Sequence, residues 1–311
     1  INLSADIYFP RMRAGSLPAI LSRTPYDNTN ERMISSAIFY AQQGYVFVAQ
    51  DTRGRYDSEG KFRPWVDEFN DGHDTVEWVG QQEWCDGNVG MVGGSYVGNV
   101  QWQAAAMGSK YLKAIVPRVI GNNLYEAPHY QSGAFQLNWS ATWSFRMAGR
   151  TAQDIDIYNW EKVFATLPLK NLPEESGKDI FFWDEWIEHP DYDDYWKALA
   201  NDERYDDIEI PVLQIGGWYD FFTAGTFHNF VGMREGGGSR LARDNQRAIV
   251  GPWIHSASTL TRAGEVDFGR GSVLDLEQHE LRWFDHWLKG IDNGAEADRP
   301  LNIFIMGINQ W

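Results

Sequence analysis

A single cysteine, Cys85, stands in the 311 residues, which excludes an intrachain disulfide framework and any cysteine-built zinc or iron–sulfur centre. Positive charge is scarce: 27 Lys and Arg face 43 Asp and Glu, a formal net charge of −16. With no Lys/Arg run to offset it locally, that surplus repels nucleic-acid phosphates and anionic headgroups, so neither nucleic acid nor a membrane surface is an expected partner. No stretch approaches the roughly 18 apolar residues that a membrane span needs. Internal repeats and low-complexity tracts are missing too, and Gly236-Gly237-Gly238 is a loop signal only. Residues 1–10 already alternate like a strand, so any leader is expected to lie outside this sequence and targeting and compartment stay open.

Apolar bulk is abundant. Hydrophobic residues make up 43% and aromatics 15%, with 15 Trp, enough for a folded core and too much for a disordered chain. The length allows one large domain or one with a substantial insert. Short β-branched or apolar runs at 19–22, 45–50, 89–93, 114–116, 212–215 and 248–250 are each bounded by Gly, Pro or charge, as buried strands of a mostly parallel sheet are. Helical spacing lies between several of them. Residues 72–84 place Val76, Val79 and Trp78 on one side, and Val97, Val100, Ala104 and Met107 follow Ser95 at helical intervals. The alternation argues an α/β sheet. It stops after Pro117 and resumes near Pro211, and the aromatic, acid-rich segment between reads as a helical insertion. Residues 274–289 read as a helix with Leu281, Phe284 and Leu288 on one face and Gly290 as C-terminal cap, and 301–311 as a strand with no partner following it. The expected organisation is a sheet domain over 1–120 and 211–290, a cap insertion over 121–210, and a tail over 291–311.

The strongest local signal is Gly90-Met91-Val92-Gly93-Gly94-Ser95-Tyr96-Val97-Gly98. A strand ends, a serine sits on a Gly-flanked turn, and a helix begins, which projects a hydroxyl above the sheet with a helix N-terminus beneath it. The pattern departs from G-x-S-x-G because the second glycine comes one place late. Alone it is weak, since any tight strand-to-helix turn favours small residues. A serine nucleophile needs a base and the base an orienting carboxylate, in the order Ser, acid, His on loops after later strands. Two later strands run into Gly217-Trp218-Tyr219-Asp220 and Gly251-Pro252-Trp253-Ile254-His255, placing one polar candidate each at the C-terminal sheet edge, where open α/β folds build their sites. The other histidines, His73, His129, His189, His228, His279 and His286, lie in helical, cap or acid-rich stretches where surface or helix-face roles are the ordinary expectation.

These motifs, with Arg23-Thr24-Pro25-Tyr26-Asp27, Gln50-Asp51-Thr52-Arg53-Gly54 and Trp84-Cys85-Asp86-Gly87-Asn88-Val89-Gly90, fall in order across nearly the whole chain. Together they resemble the X-Pro dipeptidyl-peptidase family of α/β-hydrolases, in its cocaine esterase-like branch. The resemblance implies an α/β-hydrolase fold with a helical cap. It makes Ser95 the nucleophile, His255 the general base and Asp220 its orienting acid. An oxyanion hole would come from the Tyr26 hydroxyl and the backbone N–H of Tyr96. Phe222 and Trp143 stand at positions resembling the family's acyl-pocket residues, and His129 stands where a tryptophan is usual. Asp51 and Arg53 are expected to pair and brace the loop after their strand. Family members continue into a C-terminal jelly-roll domain that would begin near Gly307-Ile308-Asn309-Gln310-Trp311, so that domain is expected to be absent here.

The resulting expectation is a serine hydrolase cleaving a small-molecule carboxylic ester or amide through an acyl-enzyme, with no metal or cofactor and an undefined oligomeric state. An X-Pro dipeptidyl-peptidase or α-amino acid ester hydrolase must hold a substrate α-ammonium, yet Phe221, Phe222 and Thr223 follow Asp220, and an apolar site does not compensate a desolvated cation. A carbohydrate-binding or non-catalytic protein is the alternative of another class, which the Trp and carboxylate content suggests and the Ser, Asp, His order disfavours.

Overall fold

The computed structural model describes residues 1–12, 15–255 and 260–311. Eight strands form one sheet: β1 (Ala5–Tyr8), β2 (Leu17–Thr24), β3 (Val46–Asp51), β4 (Cys85–Gly94), β5 (Leu112–Arg118), β6 (Val212–Gly217), β7 (Gln246–Gly251) and β8 (Leu301–Ile303). Their spatial order is β1-β3-β2-β4-β5-β6-β7-β8, with β1 antiparallel to β3 and every other pair parallel. β3, β6 and β7 are buried at every residue. Strands covered on both faces read as unbroken runs rather than as alternation, which is why they were legible.

The main helices are α1 (Glu31–Gln42), α2 (Glu68–Gly80), α3 (Tyr96–Ala106), α4 (Leu137–Met147), α5 (Phe181–Glu188), α6 (Thr223–Gly236) and α7 (Leu276–Lys289). On one face, α1 and α7 pack Ala37, Tyr40, Leu281 and Phe284 against Ile20, Phe47, Val92 and Ala114. On the other, α2 and α3 pack Val76, Val79, Trp102 and Ala104 against Leu21, Val48, Met91 and Ile115. Helix α7 has the expected apolar stripe, an Asp275 side chain accepting the Gln278 N–H, and Gly290 in the left-handed region at φ 68°.

Four sequence expectations need correction. Helix α2 begins at Glu68 and ends at Gly80, so Gly72 lies inside it instead of starting it; a Cβ there would meet Ala104 Cβ at 2.9 Å, and the glycine lets α2 and α3 approach. Trp78 is 44% exposed, because it sits two residues, about 200° around the helix, from Val76. The tail has a partner: β8 adds parallel to β7, and Ile305 then bridges Gln310. Arg53 pairs with Asp71, Nη2 to Oδ1 at 2.5 Å and Nε to Oδ2 at 2.8 Å, while Asp51 turns to accept the Asn28 N–H at 2.9 Å.

Between β5 and β6 the chain forms α4, α5, several short helical turns and a small hairpin pairing Tyr130–Gln131 with Ala134–Phe135. Helices this short are marginal alone in water. They are held by a shared aromatic core in which Phe145, Trp183, Trp186 and Trp196 are fully buried, each such ring worth about 2–3 kcal/mol on burial.

Candidate active site

Strands β4, β6 and β7 are parallel, so their C-terminal ends share one sheet edge, and each hands over to a loop carrying one predicted residue. Ser95 lies between β4 and α3 at φ 59°, ψ −128°, outside the regions open to L-residues, and such strain persists only where the surroundings impose it. Its N–H donates to the Arg118 carbonyl on neighbouring β5 at 2.9 Å, and its carbonyl accepts from Gly98 and Asn99. A Cβ at position 98 would come within 2.9 Å of the Arg118 carbonyl oxygen. The turn therefore needs its glycine there, and Val97 is tolerated where the usual motif has one.

The second cluster joins Asp220 and His255. His255 Nδ1 lies 2.8 Å from Asp220 Oδ2, and Asp220 Oδ1 accepts the Phe222 N–H at 2.7 Å. The carboxylate side chain is 1% exposed and the imidazole 33%, so the acid is sequestered and the base accessible. Backbone bonds tie the two loops together, Trp218 N–H to the Gly251 carbonyl and Tyr219 N–H to the Trp253 carbonyl. The Phe221 ring stacks on the imidazole at 5.0 Å between centroids and 20° between planes.

Tyr26 reaches Ser95 from the loop after β2. Its hydroxyl lies within interaction range of the Ser95 side chain and accepts the Trp143 indole N–H at 3.2 Å. Burial pushes the phenol pKa up against the opposing pull of these contacts and of Arg146 and Arg55, so it is a protonated donor at neutral pH. Tyr96 is the first residue of α3, and its N–H has no intrahelical acceptor. Its side chain points the other way: the hydroxyl donates to Glu68 Oε1 at 2.7 Å and accepts the Trp65 N–H at 3.0 Å. Glu68 in turn pairs with Arg23 at 2.7 Å, with both side chains at most 3% exposed. A buried ion pair thus anchors the residue next to the strained serine.

Three residues read as pocket-forming from the resemblance differ in burial and surroundings. Trp143 is partly exposed beside Tyr26. Phe222 is 3% exposed and supports the imidazole from 5.6 Å, whereas its neighbour Phe221 is 42% exposed. His129 is fully buried, correcting both its pocket and its surface expectation; its ring packs 4.0 Å from Trp186, with Trp139 and Trp65 at 5.4 and 5.6 Å. Burial without a charged partner lowers its pKa to about 3. Arg23, Glu68, Trp65 and Arg55 are the neighbours of the site that sequence reasoning did not single out by role. Glu68 looks like any acid in an acidic stretch, and nothing local marks it as buried. A cavity of about 260 Å³ lined by Arg247, His279, Arg282 and Asp298 lies elsewhere, against β7, β8 and α7, and has no serine, threonine or cysteine among its described lining residues.

Residues 1–257 match the family described as X-Pro dipeptidyl-peptidase (S15 family). The chain belongs to that family. A curated relative, cocaine esterase of Rhodococcus sp. (strain MB1 Bresler), is 33% identical over the whole of this chain and 57% of its own length. Among solved structures, an aminopeptidase from a marine sediment archaeon (Thaumarchaeota archaeon) superposes with a TM-score of 0.83 at 22% identity, over 99% of this chain and 56% of that one. An α-amino acid ester hydrolase superposes at 0.80 and 24% identity, over 99% and 55%. These two likenesses show the fold, that of an α/β-hydrolase. The chain spans a little over half the length of these three relatives.

Proposed function

We propose that this S15-family chain is a serine hydrolase that cleaves carboxylic esters, and amides more slowly, through an acyl-enzyme. Ser95 Oγ attacks the acyl carbon while His255 Nε2 takes its proton; the alkoxide formed on the carbonyl oxygen is met by the Tyr26 O–H and the Tyr96 N–H. Collapse expels the alcohol, protonated by His255. Water then repeats the sequence on the acyl-enzyme, releasing the acid and restoring Ser95. The observation that carries this reading is the sequestered Asp220–His255 pair, 2.8 Å apart, on the same sheet edge as a serine held at φ 59°.

An ester is favoured over a free-amine substrate because the groups beside the imidazole are the Phe221 and Phe222 rings, which do not compensate a desolvated ammonium. The cap acids Glu126 and Asp154 are exposed, and Asp154 accepts an N–H of its own loop. A fluorophosphonate probe should label Ser95, and Ser95→Ala should abolish both labelling and p-nitrophenyl ester hydrolysis in a folded protein. An unlabelled, folded wild-type chain, or an active Ser95→Ala, refutes the acyl-enzyme route. Preference for an α-amino acid ester over its N-acetylated form would move the assignment to an amine-recognising hydrolase.

A further inference from the structure

The Tyr26 hydroxyl is held by a residue of the insertion and not by the sheet domain to which Tyr26 belongs. Trp143, in the middle of α4, donates its indole N–H to the phenol oxygen at 3.2 Å. An indole N–H is a donor only, whereas a phenol has one proton and accepts through its lone pairs. The sense of this bond is therefore fixed: Tyr26 accepts from Trp143, and its single proton remains free for another acceptor, which in the reading above is the alkoxide. Without the indole, the hydroxyl is free to rotate its proton toward any acceptor.

The indole has little freedom of its own. It is stacked against Trp65 at 5.1 Å and 16°, Trp139 at 5.7 Å and 10°, and Tyr96 at 6.2 Å and 13°. One indole thus bonds the Tyr26 hydroxyl and stacks on the ring of Tyr96, the residue that follows the nucleophile.

Arg55 ties the same two segments through the backbone. Its guanidinium, fully buried, donates to the Pro25 carbonyl at 2.9 Å, directly before Tyr26, and to the Met147 carbonyl at 2.9 Å, at the end of α4. A third bond goes to the Gly149 carbonyl. Every one of these acceptors is a carbonyl, two of them at the negative end of α4, where a cation is favoured. The tyrosine loop and the helix carrying Trp143 are thus clamped at both the backbone and side-chain levels.

We propose that Trp143 is a positioning residue for the oxyanion hole: its N–H occupies the acceptor side of the Tyr26 hydroxyl and so leaves that hydroxyl as a donor for the alkoxide, with Arg55 holding the two segments in register. This rests on the serine hydrolase reading above, in which Tyr26 donates to the alkoxide. It gives the insertion a part in the chemical step beyond covering the substrate, and it separates Trp143 from a pocket wall, whose loss would act on KM.

The test is a double-mutant cycle. Trp143→Phe removes the N–H and some ring area; replacement of Trp143 by β-(3-benzothienyl)alanine removes the N–H alone and keeps the shape. Each is made in the wild-type and the Tyr26→Phe backgrounds, and kcat and KM are measured with a p-nitrophenyl ester. The expected result is a fall in kcat of about tenfold with either change and KM within about twofold. In the Tyr26→Phe background neither change should lower kcat further. An equal fall in both backgrounds, an effect carried by KM, or full activity of the benzothienyl variant overturns the positioning role while leaving Tyr26 in the hole. An unchanged kcat in Tyr26→Phe alone overturns the positioning role and the Tyr26 assignment together.

Discussion

His129 offers a measurement of how dry the insertion core is. Its ring is fully buried among Trp186, Trp196, Trp139 and Trp65. Nδ1 lies 3.2 Å from Ser140 Oγ, and Nε2 is buried with no partner. Protonating it would place an uncompensated charge in that cluster, and burial accordingly lowers its pKa to about 3. In the unfolded chain an imidazole titrates near 6.5, so between about 6.5 and 3 the unfolded state binds a proton that the native state refuses. Stability is lost as pH falls, by about 1.4 kcal/mol per pH unit and about 2 kcal/mol from pH 7 to pH 5. Asp51 works in the opposite direction: burial raises its pKa to about 6, the native state takes up the proton first, and acidification over the same range returns about 1 kcal/mol. The His129 contribution must therefore be isolated by difference. Urea unfolding of the wild type and of His129→Phe and His129→Asn, followed by tryptophan fluorescence at pH 7, 6 and 5, provides it. Each variant carries a constant offset from repacking, of about 1–3 kcal/mol. The stability gap between wild type and variant should shift by about 2 kcal/mol in favour of the variant from pH 7 to pH 5. A gap that does not change with pH would mean that His129 takes up a proton in the folded protein, and that the aromatic cluster around it is wet or open.

Tyr26→Phe should lower kcat by about 10²- to 10³-fold with little change in KM, the loss of one oxyanion donor, measured in steady state on a p-nitrophenyl ester; an unchanged kcat removes the phenol from the hole. Asp220→Asn, which keeps the shape but alters the partner of His255 Nδ1, should cost about 10⁴ in kcat, and a loss under tenfold would deny it the orienting role. Glu68→Gln leaves the fully buried Arg23 without its counter-charge and should destabilise by about 3–5 kcal/mol in urea, while the double change Arg23→Met with Glu68→Leu should recover most of that loss. If the double variant is less stable than Glu68→Gln, the buried pair stabilises the fold and the unpaired charge is not the source of the cost.

Linear sequence by itself determined the parallel sheet, since β3, β6 and β7 are buried on both faces and must be apolar throughout. It also ordered Ser95, Asp220 and His255 at strand ends, because a strained turn and a sheet edge tolerate few residue types. Tertiary structure decided what local pattern does not encode. The glycine at position 72 marks a helix–helix approach and not a helix start. Arg53 found Asp71 instead of Asp51, and β8 found β7, since partners distant in sequence compete on geometry that no spacing rule contains. The burial of His129, the Arg23–Glu68 pair behind Tyr96 and the Trp143 bond to Tyr26 belong to the same class. Each depends on elements far apart in the chain meeting in space, and a buried charge or ring has the same letters as an exposed one.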